Sequence, residues 1–490
     1  MGIVVKHSFW NLFSTIIGVV LGAINVLVLY VYFLDKEYFG LSQYILSAAF
    51  LIFPVLSFGI HNAIVKFYSS FTSKLERDAF LTRMLLLPLA VIIPVSVLMT
   101  VFYQEIALLL SKKNALVYDF VWVIGIIGAA QAYFEIFYAW VKVHMKTIGG
   151  NFLKEVFYRV GVSIGLALVA LEIINDVQFI LLLVPIYVMR TLAMMLLALK
   201  TYRPRLSLTY NLRLREVYQY SLLMVLAGAV GTAMIDLDKT MINQYLTIEN
   251  ISYYGVAAYV STLVAIPVRA MSQILHPLTS KLYNAQDFKG IEDLYKKSSL
   301  NLSIVGGLIL LLILCNLHQF YDLQPEGYSL AIPVVFFIAL VKYSENLLGS
   351  NNAILYNTNL YKITLWLGLG LAVLAFFLNS WLIPIYGLSG AAIATFVAFM
   401  SYSLAKVLTV YTQLRIHPWT IKTSQVLVLI LLLFAVFYFW DFPFHPIINI
   451  AIKSILLVMA YGIAIIRFKM STELLELWKL ALVRLRLSKS

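Results

Sequence analysis

The sequence predicts an all-α protein that crosses a membrane many times. Of its 490 residues, 62% are hydrophobic and only 12% are charged, and the mean hydropathy is +0.90. A soluble globular chain has roughly 45–50% apolar residues, so water is not the main solvent here. The apolar residues form runs of about 20, the length a helix needs to cross about 30 Å of hydrocarbon. A β-barrel would show alternating segments of about 10 residues, and none of the runs alternates.

Fourteen apolar runs predict about 14 transmembrane helices, in two six-helix lobes plus two C-terminal helices. The first six runs are residues 9–33, 41–65, 81–103, 120–141, 156–171 and 177–199. The next six are 218–245, 251–275, 300–317, 328–348, 363–383 and 388–410, followed by 426–440 and 447–466. The predicted domains are an N-terminal lobe (1–200), a cytoplasmic linker (201–214), a C-terminal lobe (215–412), two additional spans (413–467) and a cytoplasmic tail (468–490). The first run is too long for a signal-peptide core and predicts a permanent span.

Basic residues in the short loops predict the orientation, because Lys and Arg are retained on the cytoplasmic side. With both termini inside, sixteen basic residues fall in inner loops: Lys74, Arg77, Lys142, Lys146, Lys154, Arg203, Arg205, Arg213, Arg215, Lys281, Lys289, Lys296, Lys297, Lys362, Arg415 and Lys422. The outer loops hold only Lys36, Lys112 and Lys113. The net charge of +13 therefore reflects the basic cytoplasmic loops of a membrane protein, and no nucleic-acid partner is predicted.

The two lobes carry an internal match at an offset of 215 residues, between the second and eighth runs and their inner flanks. Six positions are identical, with Gly40, Tyr44, Ser57, His61, Lys66 and Tyr68 falling on Gly255, Tyr259, Ser272, His276, Lys281 and Tyr283. Both copies run from outside to inside, so the lobes are predicted to be parallel repeats related by an axis along the membrane normal. Substrate sites in such folds lie at the repeat interface, near the midplane.

Ionisable side chains inside the runs are the candidate substrate-cavity residues, because each is costly in hydrocarbon and tends to face a cavity or a partner. They are Arg190, Arg269, Lys342, Glu345 and Glu135. Lys342 and Glu345 are spaced i and i+3, so they are either cavity residues or an ion pair that neutralises itself on one helix face. Arg190 and Arg269 have no acid within a turn, which favours a cavity over snorkelling or interhelical bonding. Several cations at depth suit a pyrophosphate or an acidic sugar.

Two further groups are candidates for coupling or gating. Asp236, Asp238 and Lys239 lie late in the seventh run, where they form either a coupling-ion site or a locally paired helix end. His61 and His276 occupy matching inner ends, and they act either as proton-relay or gate groups or as packed interfacial imidazoles. No metal or cofactor site is predicted, because the single cysteine, Cys315, lies in an apolar run and cannot build a thiolate cluster.

The tail after the last run predicts an amphipathic helix on the inner leaflet. One face carries Leu474, Leu475, Trp478, Leu482 and Leu485, opposed by Lys479 and Arg486. Its basic end favours anionic membrane lipid.

Two motifs resemble the polysaccharide, or O-antigen, flippases of the multidrug/oligosaccharidyl-lipid/polysaccharide exporter superfamily. In the first, an acid and a base precede a glycine–tyrosine pattern, and the match is carried by Asp238, Lys239, Gly255 and Tyr259. The second, LNSWLIPIYGLSGAAIAT, is a tight outer turn followed by small residues that let two helices pack closely. It is carried by Asn379, Ile383, Pro384, Gly387, Gly390, Ala391 and Ala392.

The resemblance implies a non-enzymatic carrier in the bacterial inner membrane. It implies alternating access by two six-helix lobes, which would pass an undecaprenyl-pyrophosphate-linked oligosaccharide from the cytoplasmic to the outer face, with other polysaccharide-assembly proteins as partners. The coupling source stays open among a proton, sodium, the membrane potential and the substrate gradient alone. The motifs do not identify the cavity cations, which rest on depth and charge.

Three alternatives remain. A cation-coupled multidrug exporter shares the superfamily but is expected to carry acids deep in its first span, and residues 9–33 contain none. A lipid-linked peptidoglycan-precursor flippase also shares it. A membrane glycan polymerase would need a sizeable outer loop, and no loop exceeds roughly 25 residues, too few for a catalytic domain outside the bilayer. Phosphate-loop, zinc-helix and nucleophile-elbow motifs are all missing from the sequence.

Overall fold

The computed structural model describes residues 2–207, 214–358, 360–473 and 476. Within these residues the secondary structure is helical throughout, with no strand. The predicted all-α, polytopic fold class is confirmed. Of the predicted tail, residues 474, 475 and 477–490 lie outside the described part, so the amphipathic helix stays a prediction.

Two compact units divide the chain, Met1–Gly255 and Val256–Ser490. The helices of the first unit are α1 (Gly2–Ile24), α2 (Tyr30–Phe33), α3 (Lys36–Leu56), α4 (Ile60–Phe67), α5 (Lys74–Leu86), α6 (Leu89–Val101), α7 (Tyr103–Ser111), α8 (Val121–Val143), α9 (Thr147–Phe152), α10 (Tyr158–Ala170), α11 (Asp176–Thr201) and α12 (Arg215–Tyr245). The boundary falls inside α13 (Glu249–Thr262). The helices that follow are α14 (Ile266–Asn284), α15 (Phe288–Cys315), α16 (Leu317–Asp322), α17 (Ile332–Leu347), α18 (Asn351–Asn357), α19 (Tyr361–Leu414), α20 (Ile421–Tyr438) and α21 (Pro446–Arg467).

Twelve helical stretches among the described residues are long and apolar enough to cross a membrane, so the chain is a multi-pass membrane protein. The count of about 14 is not confirmed, and the differences fall at two places. The predicted spans 363–383 and 388–410 lie in one continuous stretch, Lys362–Leu414. The predicted fifth span, 156–171, corresponds to α10, which has only 13 residues and follows a π-helical segment, Leu153–Phe157.

A second π-helical segment, Asn25–Leu29, interrupts the first span, and polar side chains tie it to α10. The Asn25 amide donates to the carbonyl of Arg159 at 2.9 Å, and the Ser163 hydroxyl donates to Asn25 Oδ1 at 2.6 Å. A π-bulge frees backbone groups from the regular helical ladder, and in hydrocarbon those groups need partners within the protein. These bonds give the π-helical segment of the first span polar partners on α10.

The core of the first unit is built around α8, which packs against α3, α4 and α11. Its buried residues include Phe134, Tyr138 and Trp140. The loops between helices are closed by side-chain caps, which satisfy amide groups that have no intrahelical partner. Ser73 and Glu76 form a capping box at the start of α5, and other capping boxes begin α11 and α20.

In the second unit, α15 packs against α14, α17 and α20, and α17 packs against α19. The kink in α19 lies at Gly387, whose backbone (φ 58°, ψ −133°) is not helical. Pro384 lies one turn earlier. A Cβ placed on Gly390 would lie 2.1 Å from the carbonyl oxygen of Leu382, so only glycine fits there. The predicted tight turn with a close approach is present at this motif.

Candidate functional site

A polar cluster lies inside the first unit, between α8, α11 and the π-helical segment before α10. Arg190 of α11 donates a hydrogen bond to Gln131 Oε1. Gln131 donates to Glu135 Oε1 at 3.3 Å, and Lys154 Nζ donates to the same oxygen at 2.8 Å. We call Arg190, Gln131, Glu135 and Lys154 the N-terminal cluster. The structure thus brings two predicted cavity residues, Arg190 and Glu135, into one network.

Arg190 is almost fully buried, with 3% of its surface exposed. Its guanidinium lies 4.0 Å from the ring centroid of Phe134, 4.8 Å from that of Tyr187 and 5.4 Å from that of Tyr158. Aromatic faces attract cations, so these rings stabilise the charge in place of water. Within the described residues, Nε of Arg190 has no hydrogen-bond partner. The guanidinium therefore retains a donor that a ligand can use.

Further charges surround Glu135. His61 and Lys142 are within electrostatic range of this carboxylate, and Nζ of Lys142 lies 4.2 Å from the ring centroid of Tyr138. Arg190, Lys142 and Lys154 thus lie near Glu135, and the other acid in range of Arg190, Glu155, is paired with Arg159, which leaves a positive excess when all are ionised. An excess of positive charge that is partly shielded from water attracts anions strongly.

The late α12 residues contact other helices rather than one another along α12. Ser47 of α3 donates to Asp236 Oδ1 at 2.8 Å, Lys239 donates to Gln43 Oε1 of α3 at 3.1 Å, and Tyr254 of α13 donates to Asp238. These groups join α12 to α3 and α13, while Lys239 also lies within electrostatic range of Asp236, so both predicted interpretations of this group stay open.

The first family motif is packed around Gln43. A Cβ on Gly255 would lie 3.6 Å from Cγ of Gln43, and the amide oxygen of Gln43 accepts the bond from Lys239. Tyr259 lies one turn further along α13 and is partly buried. The motif residues Lys239 and Gly255 thus meet at one side chain, which gives the motif a packing role in the first unit.

A second cluster lies in the second unit. Lys342 and Glu345 of α17 form an ion pair at 2.8 Å, the self-neutralising arrangement that was one of the two predicted interpretations. Lys406 of α19 donates to Asn352 Oδ1 of α18 at 3.1 Å. We call Lys342, Glu345, Asn352 and Lys406 the C-terminal cluster. The sequence interpretation missed Lys406, although a lone lysine within the run 388–410 was the available signal.

Arg269 is a member of neither cluster, and its side chain is exposed on α14. No hydrogen bond or ion pair of its side chain occurs among the described residues. It heads a polar stripe with helical spacing, made of Arg269, Ser272, Gln273, His276 and Ser280. Such a face in a membrane helix lines water or protein rather than lipid. Its two ionisable members, Arg269 and His276, are the candidates that the sequence predicted.

The two histidines have side-chain amide neighbours. His61 Nε2 lies 3.0 Å from the Asn62 amide nitrogen, and His276 Nδ1 lies 3.3 Å from that of Asn357 on α18. No group of three His, Cys, Asp or Glu side chains that could hold a metal ion occurs in the described part of the chain. In the second motif, Asn379 is buried and donates to the carbonyl of Ala375 at 3.0 Å.

Solved structures resemble this chain, whereas no family model and no curated protein matches it. Lipid II flippase MurJ in an inward closed conformation has a TM-score of 0.72 and 16% identity, with 95% of this chain and 100% of that chain covered. An inward-facing multidrug resistance MATE family transporter of the MOP superfamily has a TM-score of 0.60 and 12% identity, covering 81% and 98%. MATE in complex with MaL6 has a TM-score of 0.54 and 13% identity, covering 84% and 96%. The chain has the fold of MOP-superfamily transporters.

Proposed function

We propose that this protein carries a polyprenyl-pyrophosphate-linked oligosaccharide across the bacterial inner membrane by alternating access, with both termini in the cytoplasm. The observation that carries the proposal is the buried positive charge. The N-terminal cluster holds Arg190 in an aromatic enclosure with an unused donor, and Arg269 heads an exposed polar stripe on α14. Guanidinium groups match phosphate oxygens bidentately, so both suit the pyrophosphate of such a lipid.

The fold supports a carrier over an enzyme. Its similarity to MurJ spans 95% of this chain, and the resemblance of the two sequence motifs to polysaccharide flippases favours an oligosaccharide cargo. The candidate cavity residues would offer positive charge to the anionic part within each unit: Arg190 in the first unit, where Glu135 limits the local charge, and Arg269 and Lys342 in the second, where Glu345 does so. Asp236, Asp238, Lys239, His61 and His276 remain candidates for coupling to H⁺ or Na⁺.

A peptidoglycan-precursor flippase is the second candidate, and the observation that favours it is the TM-score of 0.72 to a protein described as a lipid II flippase. Both cargoes present a pyrophosphate on a polyprenyl chain, so the same cations serve either. A multidrug exporter accounts less well for Arg190 and Arg269, since a site for cationic drugs would gain from acids rather than arginines.

The test is translocation of fluorescent undecaprenyl-pyrophosphate oligosaccharide in proteoliposomes, at matched insertion. We expect Arg190→Met and Arg269→Gln each to slow translocation about tenfold or more, because each removes a charge-assisted hydrogen bond worth about 1.5–3 kcal/mol. Arg203→Gln is the matched control, since Arg203 is exposed and follows the end of α11. Its rate should equal that of the wild type.

Competition then separates the cargoes. Unlabelled lipid-linked peptidoglycan precursor should compete poorly with the oligosaccharide if the proposal holds. Preferential transport of the precursor would favour the second candidate, the peptidoglycan-precursor flippase, over the proposed function.

Unimpaired transport by the Arg190→Met/Arg269→Gln double variant would show that neither arginine contributes to the cavity. Formation of longer glycan chains by the purified protein would favour a polymerase.

A further inference from the structure

Lys406 is a buried cation that the proposed function leaves unused. It lies in α19, about two turns before the helix ends at Leu414, with 4% of its surface exposed. Within the described residues its ammonium has no carboxylate within 4 Å. Its single hydrogen bond goes to Asn352 Oδ1, at 3.1 Å. An ammonium has three donors, so two of them are available.

The surroundings of Lys406 are arranged to hold a positive charge. The ring of Tyr402, one turn earlier on α19, has its centroid 4.5 Å from Nζ, a cation–π distance. Glu345 and Lys342 are within electrostatic range. Glu345 already accepts the bond from Lys342 at 2.8 Å. Two lysines therefore share one carboxylate, and one positive charge is left without a counter-ion.

The cluster is reachable from a surface. Asn352 and Tyr356, one turn apart on α18, are both exposed, and the side chain of Glu345 is 30% exposed. Asn352 thus contacts the buried Lys406 and is itself exposed at this surface. An anion that reaches Asn352 is therefore close to Lys406 and can accept from one of its free donors.

The N-terminal cluster is built from the same parts, which supports a shared role. In each unit a cation within a long helix donates to a side-chain amide: Arg190 to Gln131, and Lys406 to Asn352. In each, a carboxylate nearby is paired with a lysine at 2.8 Å, namely Glu135 with Lys154 and Glu345 with Lys342. Aromatic rings cover the cation in both.

We propose that Lys406, with Asn352 and Tyr402, forms a second anion-binding site, in the C-terminal unit, which receives a phosphate or carboxylate group of the transported lipid. The site's role as a subsite for transport rests on the proposed function; its affinity for an anion does not. Lys406 supplies charge and two donors, the Asn352 amide supplies a neutral donor, and the Lys342–Glu345 pair keeps the local excess at one charge.

Binding of inorganic pyrophosphate tests the site by itself. The protein is placed in nanodiscs of neutral phosphatidylcholine, and affinity is measured by microscale thermophoresis for wild type, Lys406→Met and Lys406→Arg. We expect the Met variant to bind about tenfold more weakly and the Arg variant to stay within about threefold of the wild type. Lys362→Met is the matched control, an exposed lysine at the start of the same helix, and its affinity should not change.

Folding does not confound this comparison. Met has nearly the length of Lys, and the substitution removes the desolvation cost of a buried cation that has no counter-ion of its own. The melting temperature of Lys406→Met should therefore match or exceed that of the wild type. If Lys406→Met bound pyrophosphate with the wild-type affinity, the proposed anion site at Lys406 would be overturned.

Two further arms separate the ligand source and the function. Undecaprenyl pyrophosphate should show the same dependence on Lys406, whereas nanodiscs with phosphatidylglycerol should leave the affinity for pyrophosphate unchanged. Displacement of pyrophosphate by phosphatidylglycerol would assign the site to bulk anionic lipid and overturn its role for cargo. If wild type fails to translocate any lipid while pyrophosphate binding still depends on Lys406, the proposed function fails and the site stands.

Discussion

At the level of single side chains, each unit places one carboxylate among more cations than it can neutralise. Glu135 accepts from Lys154, and Glu345 accepts from Lys342. A buried or half-buried ion pair contributes little net stability, because desolvation offsets the Coulomb attraction, but losing one partner is costly. These acids therefore set how much positive charge each cluster offers to an anion.

A double-variant cycle tests this for the C-terminal pair. Glu345→Gln leaves Lys342 and Lys406 without a carboxylate, so we expect the melting temperature to fall. Adding Lys342→Met should restore it, with a coupling of about 0.5–3 kcal/mol between the two positions. Transport should stay low in the double variant, because Lys342 also contributes to the cavity charge.

The ion pair Lys296–Glu292, 2.5 Å apart on α15, is the matched control for this cycle. Its i, i+4 geometry is similar but it lies in a predicted inner loop, so the same cycle should leave transport unchanged. Full transport by Lys342→Met/Glu345→Gln would limit that pair to mutual neutralisation.

The sequence predicted most of the ionisable residues of the two clusters, but not the side chains that contact them. Arg190 and Glu135 are conspicuous as charges in apolar runs, whereas Gln131, which joins them, is one of many neutral polar residues. Lys406 was missed because its run also contains the motif residues and reads as an ordinary span. The contact of Lys239 and Gly255 with Gln43 needs three helices to be packed and has no signature in spacing alone.

At the level of elements, two glycines in α19 allow a steric requirement for glycine to be distinguished from the low helix propensity of glycine. Gly390→Ala should reduce the amount of folded protein severely, because the new Cβ would lie 2.1 Å from the Leu382 carbonyl oxygen, a backbone atom that cannot move aside. Gly370→Ala is the control in the same helix, since a Cβ there meets nothing within 4 Å. That variant should be neutral or more stable by up to about 1 kcal/mol. Fluorescence-detected size exclusion measures both, and normal yield for Gly390→Ala would contradict the packing.

The turn in this motif was predictable because the motif contains Pro and Gly, and the kink lies at Gly387.

The π-helical segments were not predictable. Asn25 and Ser163 are ordinary polar residues in apolar runs, and only their mutual hydrogen bond, 2.6 Å long, shows why the regular ladder is interrupted there. A separate π-helical segment, Leu153–Phe157, occupies the start of the predicted fifth span, so α10 begins only at Tyr158.

At the level of the whole molecule, hydropathy predicted the fold class, while the number of spans depends on α10. Impermeant maleimide labelling in spheroplasts tests both the count and the orientation, in a Cys315→Ser background. With both termini inside and α10 crossing, Lys113→Cys and Glu172→Cys should be labelled from outside. Lys289→Cys should react only after permeabilisation.

Each site was chosen because its side chain is exposed. Protection of Glu172→Cys alongside labelling of Lys113→Cys would mean that α10 does not cross the membrane. External labelling of Lys289→Cys would reverse the predicted orientation.

The length of α12 has a consequence for the surrounding bilayer. Its 31 residues extend about 46 Å, well beyond the hydrocarbon thickness of about 30 Å. A helix longer than the hydrocarbon core is accommodated by tilting or by projecting an end into water, and Arg215 and Glu216 at its start suit an aqueous end. Thin and thick bilayers should therefore favour different tilts of this helix. Because α12 also carries Asp236, Asp238 and Lys239, the length of the lipid acyl chains should change the rate of transport.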